Sequence, residues 1–324
     1  MNIILNKKLC LDLTKEKIPT RNGYGDALVE LGKKNRQIMV LCADLKESTR
    51  VQKFSELFPR QYVEMGVAEQ NLVTVASGLA AVGKIPFASS YAVFCPGRCW
   101  EQIRTTICYN NRNVKIIGAH AGISVGPDGA THQMLEDIAL MRVLPNMIVV
   151  VPCDYEQTKK ATAAIAEFKG PAYMRFAREK TEQMTTSKTP FEIGKMQVFK
   201  EGSDIALIGA GPIVYDCLKA AEELGKKRTK AMVVNCHTIK PLDCGTLLAA
   251  AKKCKKIIIV EEAQINGGLG AAIAEFLGEN CPTPLKRIGI KDRFGESGEP
   301  EELLKKFGLS SEEIVKEALK LVNR

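Results

Sequence analysis

Residues 63–83 read VEMGVAEQNLVTVASGLAAVG. The pattern predicts the end of a strand, a tight turn and the start of a helix. The helical part consists of small and apolar residues that pack well, and no further charge follows Glu69 until Lys84. Glu69 therefore places a single carboxylate in the first turn of an otherwise apolar helix. The helix dipole favours an acid at that end, so a capping role is enough to explain it. Whether it has a second role depends on what gathers around it.

The strand–turn–helix unit recurs along the chain. Candidate strands are IMVLCA (38–43), IPFAS (85–89), VKIIGA (114–119), MIVVV (147–151) and AYMRF (172–176), with helices expected over 22–34, 68–82, 97–110, 134–142 and 154–167. Continuous apolar strands separated by helices indicate a parallel sheet covered on both faces. Across 180–190 the sequence becomes KTEQMTTSKTP, polar and without periodicity, which reads as a linker. A second alternation follows in DIALIGAG (204–211), KAMVVNC (230–236), KIIIVEE (256–262) and LKRIGI (285–290). The expected fold is α/β with two doubly wound domains, the first with a mainly parallel sheet and the second smaller. Their expected limits are 1–185 and 192–324, joined by a linker at 186–191.

Composition narrows the function classes. The 324 residues are 45% hydrophobic and 26% charged, as in an ordinary globular protein. No apolar run is long enough to span a membrane, and the first residues, MNIILNKKLCLDLTKEK, lack the apolar core of a signal peptide. A cytoplasmic location is expected. The 11 cysteines show no tight pairing pattern and no CxxC, which argues against a disulfide framework and against zinc. The net charge of +9 includes KKRTK (226–230) and KKCKK (252–256), both near expected helix ends where cations suit the dipole. No aromatic residues interleave them, so nucleic-acid binding is not expected. A mild positive field favours an anionic substrate.

In parallel sheets ligands sit beyond the carboxyl ends of the strands. Asp44, Ser90, Tyr91, Phe94, His120, Arg175 and Arg178 all fall at or just past such ends. The loop HAGISVGPDGATHQ (120–133) holds two of the three histidines. Asp128 and His132 can hydrogen-bond a polar substrate, and His132 can move a proton near neutral pH. Alternatively PDG is a turn and Thr131 caps the next helix. A loop of this length in a compact domain favours function. In YMRFAREK, Arg175 and Arg178 carry planar forks suited to phosphate or carboxylate, or they pair with Glu179 or Glu182 at the surface. Beside His120 and Arg21 an anion pocket becomes plausible. Tyr91 and Phe94 of SSYAVFCPGRCWEQ can stack on a heteroaromatic ring or simply pack. LIGAGP lacks the full dinucleotide fingerprint and reads as a tight strand-to-helix turn. INGGLG (265–270) opens a helix and suits a packing or dimer element.

Together CADLKES, GVAEQN, GPDGATHQ, DIALMRVLPNMIVVVP, MRFAREK, IKPLD, VEEAQINGGLG and FGESGEPEELLKKFGL, in this order, resemble the C-terminal half of the transketolase family. The resemblance covers nearly the whole chain. It implies a pyrimidine-binding domain over 1–185 and a transketolase C-terminal domain over 192–324. It also implies transfer of a two-carbon ketol unit from a ketose phosphate to an aldose phosphate with thiamine diphosphate, in the pentose phosphate pathway. The 1-deoxy-xylulose-5-phosphate synthases, and more loosely the pyruvate dehydrogenase β subunits, share several motifs, so a subunit of either kind is an alternative. A non-catalytic scaffold or regulatory homologue is another.

The family's Gly-Asp-Gly…Asn motif, which holds the diphosphate and metal, does not occur in the chain. With Met1 read as a genuine start, this implies a separate N-terminal subunit that brings the diphosphate site and Mg2+ or Ca2+. No metal ligand is expected on this chain, and a two-plus-two heterotetramer is. By resemblance Glu69 bonds N1′ of the aminopyrimidine, and Tyr91 and Phe94 line that ring. A third family aromatic falls near Gly97, where this sequence departs. Asp44 and Leu45 face the cofactor near its thiazolium. Asp128 and His132 contact sugar hydroxyls. Arg21, Ser48, His120 and Arg178 hold the sugar phosphate, with Arg175 less clearly placed. Glu69 and His132 are thus the expected catalytic residues. An apolar pocket around a carboxylate favours its sharing a proton with a ring nitrogen. Of the second domain, contact between subunits rather than chemistry is expected.

Overall fold

The computed structural model describes residues 4–323, so Met1 lies outside the described residues. In chain order the strands are β1 (Thr14–Pro19), β2 (Ile38–Cys42), β3 (Tyr62–Glu64), β4 (Ile85–Tyr91), β5 (Lys115–Ala119), β6 (Ile148–Val150), β7 (Ala172–Arg175), β8 (Lys180–Gln183), β9 (Gln197–Lys200), β10 (Ile205–Gly209), β11 (Ala231–Asn235), β12 (Thr238–Lys240), β13 (Ile257–Gln264) and β14 (Leu285–Ile290). The helices are α1 (Thr20–Lys34), α2 (Gln52–Leu57), α3 (Glu69–Ala81), α4 (Trp100–Gln102), α5 (Asp137–Arg142), α6 (Tyr155–Glu167), α7 (Val214–Lys226), α8 (Cys244–Cys254), α9 (Leu269–Asn280), α10 (Pro300–Lys306) and α11 (Ser311–Val322).

The first sheet runs β12-β6-β7-β5-β4-β2-β3 and is parallel except for β12. Every residue of β2 and β5 is buried, as the unbroken apolar runs require of strands covered on both faces. The second sheet runs β14-β13-β10-β11-β9, with only β9 antiparallel. The expectation of two mainly parallel α/β domains holds. The chain leaves β2 for β3 on one side and returns to β4 on the other. That reversal opens a crevice at the carboxyl ends of β2 and β4, where such sheets receive ligands.

Several local expectations are corrected. The stretch read as a linker from residue 180 begins with β8, which pairs antiparallel with β1. Its side chains alternate in burial, but Thr and Gln stand where apolar residues would have signalled a strand. The helix expected over 97–110 is a 3-10 turn at Gly97–Cys99, then α4, then a π-helical turn at Ile103–Cys108. The helix expected from 134 starts at Asp137, and Thr131 does not cap it: the Thr131 hydroxyl lies 2.9 Å from His132 Nδ1. Strand β12, only three residues long, crosses from the second half of the sequence to extend the first sheet.

The two domains meet through the carboxyl ends of the second sheet. Past β10, Gly211 (φ 80°) brings its backbone against Val151. At the end of β11, Asn235 donates to Gln157 Oε1 at 3.1 Å. At the end of β13, the Gln264 amide donates to the Leu135 carbonyl at 2.9 Å, and Arg175 Nη2 donates to the Glu262 carbonyl at 3.1 Å.

Candidate functional site

The open carboxyl edge of the first sheet carries three non-glycine residues in the left-handed region: Asp44 (φ 57°) after β2, Arg50 (φ 65°) in the same loop, and His120 (φ 54°) after β5. Backbone strain of this kind persists only where the surroundings hold it, and it concentrates at functional sites. Glu64 fastens one end of the rim. Its Oε1 accepts from the Asp44 amide at 2.8 Å and the Gly66 amide at 3.0 Å, and its Oε2 from the Tyr62 hydroxyl at 2.6 Å. The loop after β2 is thereby tied to the turn that leads into α3.

Glu69 is the first residue of α3, with Ala68 at the N-cap and no capping hydrogen bond from a side chain. Its side chain is 1% exposed. The dipole still favours it there, but its oxygens face side chains. Arg98 Nη1 donates to Oε2 at 2.7 Å, and Ser90 Oγ to Oε1 at 3.4 Å. The apolar pocket expected around the carboxylate is therefore polar on the side of Arg98 and Ser90. The Arg98 side chain, 47% exposed, also lies over the Phe94 ring with its guanidinium carbon 4.6 Å from the centroid.

From Phe94 the site continues as a run of rings. Tyr91 and Phe94 stack with centroids 5.9 Å apart, and Tyr91 stacks on His120 at 4.0 Å. His132 stands edge-on to both, 5.5 Å from Phe94 and 6.4 Å from Tyr91.

Beyond His120 lies a concentration of positive charge. Arg21 Nη1 donates to the Ser48 carbonyl at 3.1 Å and lies 3.5 Å from His120 Nε2. An arginine N–H only donates, so Nε2 accepts and the ring proton sits on Nδ1. That Nδ1 is buried without a partner among the described residues, as is Arg21 Nε. Burial, reinforced by Arg21, Arg178 and Arg50, pushes the His120 pKa down to about 3. Burial and the repulsion of Arg50 and Arg178 also lower that of Arg21. Arg21 thus touches a neutral histidine, and Arg178 and Arg50 add to the positive field there. An anion entering here would gain charged donors and relieve their repulsion. Arg178 Nη1 donates to the Val125 carbonyl at 3.0 Å and lies 3.4 Å from Asp128 Oδ1, which ties this cluster to the loop at 120–133.

Continuous contacts thus run from Glu69 through Arg98, Phe94, Tyr91 and His132 to His120, Arg21 and Ser48, while Arg178, paired with Asp128, adjoins them through its field at His120 and Arg21. Asp44 and Leu45 join them through backbone, by the Glu64 bond and by the Leu45 carbonyl that accepts from the Thr49 amide at 2.9 Å. Arg175 lies elsewhere. It is 5% exposed, its Nε is 3.3 Å from Asp137 Oδ2, and it serves the domain junction. Sequence reasoning missed Arg98, Arg50 and Glu64. The available signal was their placement at a strand end, for Glu64, or in turns, for Arg50 and Arg98, close to residues already suspected.

A planar ring with a basic nitrogen fits the Glu69 end of this rim. Among the described residues the buried carboxylate there has Ser90 and a half-exposed arginine as its side-chain partners, and aromatic faces stand next to that arginine. Among the described residues no group of three His, Cys, Asp or Glu side chains is placed to hold a metal, and no helix is long and apolar enough to cross a membrane.

Comparison with known proteins gives the family. Residues 16–183 match the transketolase pyrimidine-binding domain, and residues 194–314 match the transketolase C-terminal domain. A transketolase C-terminal section of Methanocaldococcus jannaschii is 47% identical over 91% of this chain and 94% of its own length. The 6-deoxy-6-sulfo-D-fructose transketolase subunit of Clostridium sp. (strain MSTE9) is 40% identical over 94% of each. A solved structure described as a split gene transketolase, inactive beta4 tetramer, superposes with a TM-score of 0.89 at 44% identity, covering 94% of this chain and 99% of the other.

Proposed function

The chain belongs to the transketolase family, and from that premise we propose that it is the C-terminal subunit of a split transketolase. In this reading it moves a two-carbon ketol unit from a ketose phosphate to an aldose phosphate in the cytoplasm, in the pentose phosphate pathway. A separate N-terminal subunit supplies the diphosphate and metal ligands, two copies of each assembling together. The observation that carries the reading is Glu69: a carboxylate 1% exposed at one end of a run of stacked aromatic rings whose other end meets the Arg21–His120 cluster.

Thiamine diphosphate supplies the carbanion chemistry that breaks and remakes the carbon–carbon bond beside the ketose carbonyl. Glu69 holds a proton at N1′ of the aminopyrimidine. Arg98 yields its seat over Phe94, which its exposure allows. Tyr91 and Phe94 orient the ring. Asp44 and Leu45 would face the cofactor near its thiazolium. Arg21 and Arg178 take the anionic end of the sugar, Arg50 adds to the field, and neutral His120 donates from Nδ1. Asp128 and His132 orient the sugar hydroxyls, and His132 moves protons between them.

The test is the two-chain complex given xylulose 5-phosphate and ribose 5-phosphate. Sedoheptulose 7-phosphate is expected. No product from this pair, with turnover of pyruvate plus glyceraldehyde 3-phosphate, would replace ketol transfer by a synthase activity. Faster turnover of a sulfonated ketose would move the substrate class, since the same guanidinium cluster accepts either oxyanion.

A further inference from the structure

The loop at 120–133 carries His120, Asp128 and His132, yet it has little structure of its own. A short 3-10 stretch at Ile123–Asp128 is broken at Gly126 (φ 82°, ψ −121°). Such a segment holds one conformation only if something outside it dictates one. The second domain does so at three points. Glu262 Oε1 accepts from the Ser124 amide at 2.6 Å. Gln133 Nε2 lies within hydrogen-bond reach of three carbonyls, Ile123 at 3.1 Å, Gly126 at 3.2 Å and Glu296 at 2.9 Å, and shares its two N–H groups among them, so the loop and the second domain meet at one amide group. At Gly126 itself a Cβ would lie 3.0 Å from Pro300 Cγ, the first residue of α10.

Glu262 makes the strongest of these contacts. A backbone N–H bonded to a carboxylate is roughly twice as strong as a neutral pair. The fit around it is close: a Cβ on Gly122 (φ 95°) would stand 2.3 Å from Glu262 Oε1. Between this anchor and Asp128 lies Val125, whose carbonyl takes Arg178. The position of the anion-binding arginine is therefore coupled, through a short stretch of loop, to a carboxylate of the other domain.

We propose that Glu262 is a positioning residue for substrate: the second domain moulds the 120–133 loop and thereby sets Asp128, His132 and Arg178 for the sugar. This rests on the transketolase reading of the site and gives the second domain a part in sugar recognition. Glu262 touches no reacting atom. Its loss acts on the sugar end of the site and spares the cofactor end at Glu69, which α3 holds independently.

The test uses the two-chain complex carrying Glu262→Ala, Glu262→Gln or Gln133→Leu. Three quantities are measured: KM for xylulose 5-phosphate, the dissociation constant of thiamine diphosphate, and hydrogen exchange of the peptide covering 121–133. For Glu262→Ala the expected result is a KM raised about tenfold or more, as for one lost charge-assisted hydrogen bond, with cofactor affinity within about twofold. Exchange should quicken in 121–133 and stay unchanged in α3. Glu262→Gln, which keeps an uncharged acceptor, should fall between wild type and alanine, and Gln133→Leu should reproduce the pattern. An unchanged KM with unchanged exchange would overturn the proposal. So would parallel losses in KM, cofactor affinity and melting temperature, which mark a general loss of fold. Should Glu262→Ala not fold, Glu262→Gln carries the decision alone. An inactive wild-type complex whose loop still loosens on substitution would sustain the mechanical coupling and instead remove the transketolase reading.

Discussion

The two domains are built alike, but the carboxyl edges of their sheets have opposite fates. In the first domain the ends of β2, β4 and β5 open onto charged and aromatic side chains, with buried polar atoms of Arg21 and His120 left unpartnered among the described residues. In the second, the ends of β10, β11 and β13 close onto the first domain through Gly211, Asn235, Glu262 and Gln264. A rule that places ligands at the carboxyl ends of parallel strands names both edges. Burial chooses between them, because one edge is covered by the other domain and the other is not. The closed edge is the mould against which part of the open one is set.

Substitutions can break or sharpen this contrast. The largest effect is expected at Glu69. Glu69→Ala should lower turnover of the complex by about 10²- to 10⁴-fold, the range of a positioned proton-transfer group, with an unchanged melting temperature. Removing it leaves Arg98 unpaired but half exposed, so the fold loses little. Arg178→Ala, also on the open edge, should raise KM for a phosphorylated donor about 10- to 100-fold while urea unfolding stays as in wild type. The closed edge should answer in the opposite way. Gly211→Ala places a Cβ at a left-handed position 3.1 Å from Val151 Cγ1 and should cost about 1–2 kcal/mol in urea unfolding, with KM unchanged. Equal effects of Arg178→Ala and Gly211→Ala on both readouts would dissolve the distinction.

The smallest expected effect is a pH slope. The His120 pKa of about 3 lies below the usual histidine value, so the unfolded chain takes up a proton first as pH falls. The stability from burying it neutral is present above about pH 6.5 and drains away toward pH 3, at up to about 1.4 kcal/mol per pH unit. Glu261, pushed up to about 7 by burial, works in the opposite sense. The reading is therefore a difference: His120→Gln should gain stability relative to wild type between pH 6.5 and pH 5, in urea titrations. A difference that does not change with pH would mean that His120 is not held neutral.

Much of the fold was legible because parallel strands covered on both faces need continuous apolar runs, and β2, β5, β10 and β11 have them. Strands β8 and β12 were not. One is built of polar residues and the other is three residues long, so neither carries a periodic signal. In the site, Glu69, Tyr91, Phe94, His120 and Arg178 stood out by residue type at strand ends. Arg98 did not, because an arginine in a turn has no feature that tells a surface cation from one covering a buried acid. The left-handed backbone at Asp44, Arg50 and His120 leaves no mark in residue type either. The bond from Glu262 to Ser124 spans 138 residues of sequence, and no local pattern encodes it.

The central claim is that this chain holds one end of a shared site and is completed by another chain. Calorimetric titration of thiamine diphosphate, with magnesium, into this chain alone, into the N-terminal subunit alone and into their mixture tests it most directly. Tight binding by the mixture alone, lost on Glu69→Ala, is the predicted result. Tight binding by this chain alone, or binding by the mixture that survives Glu69→Ala undiminished, would contradict it.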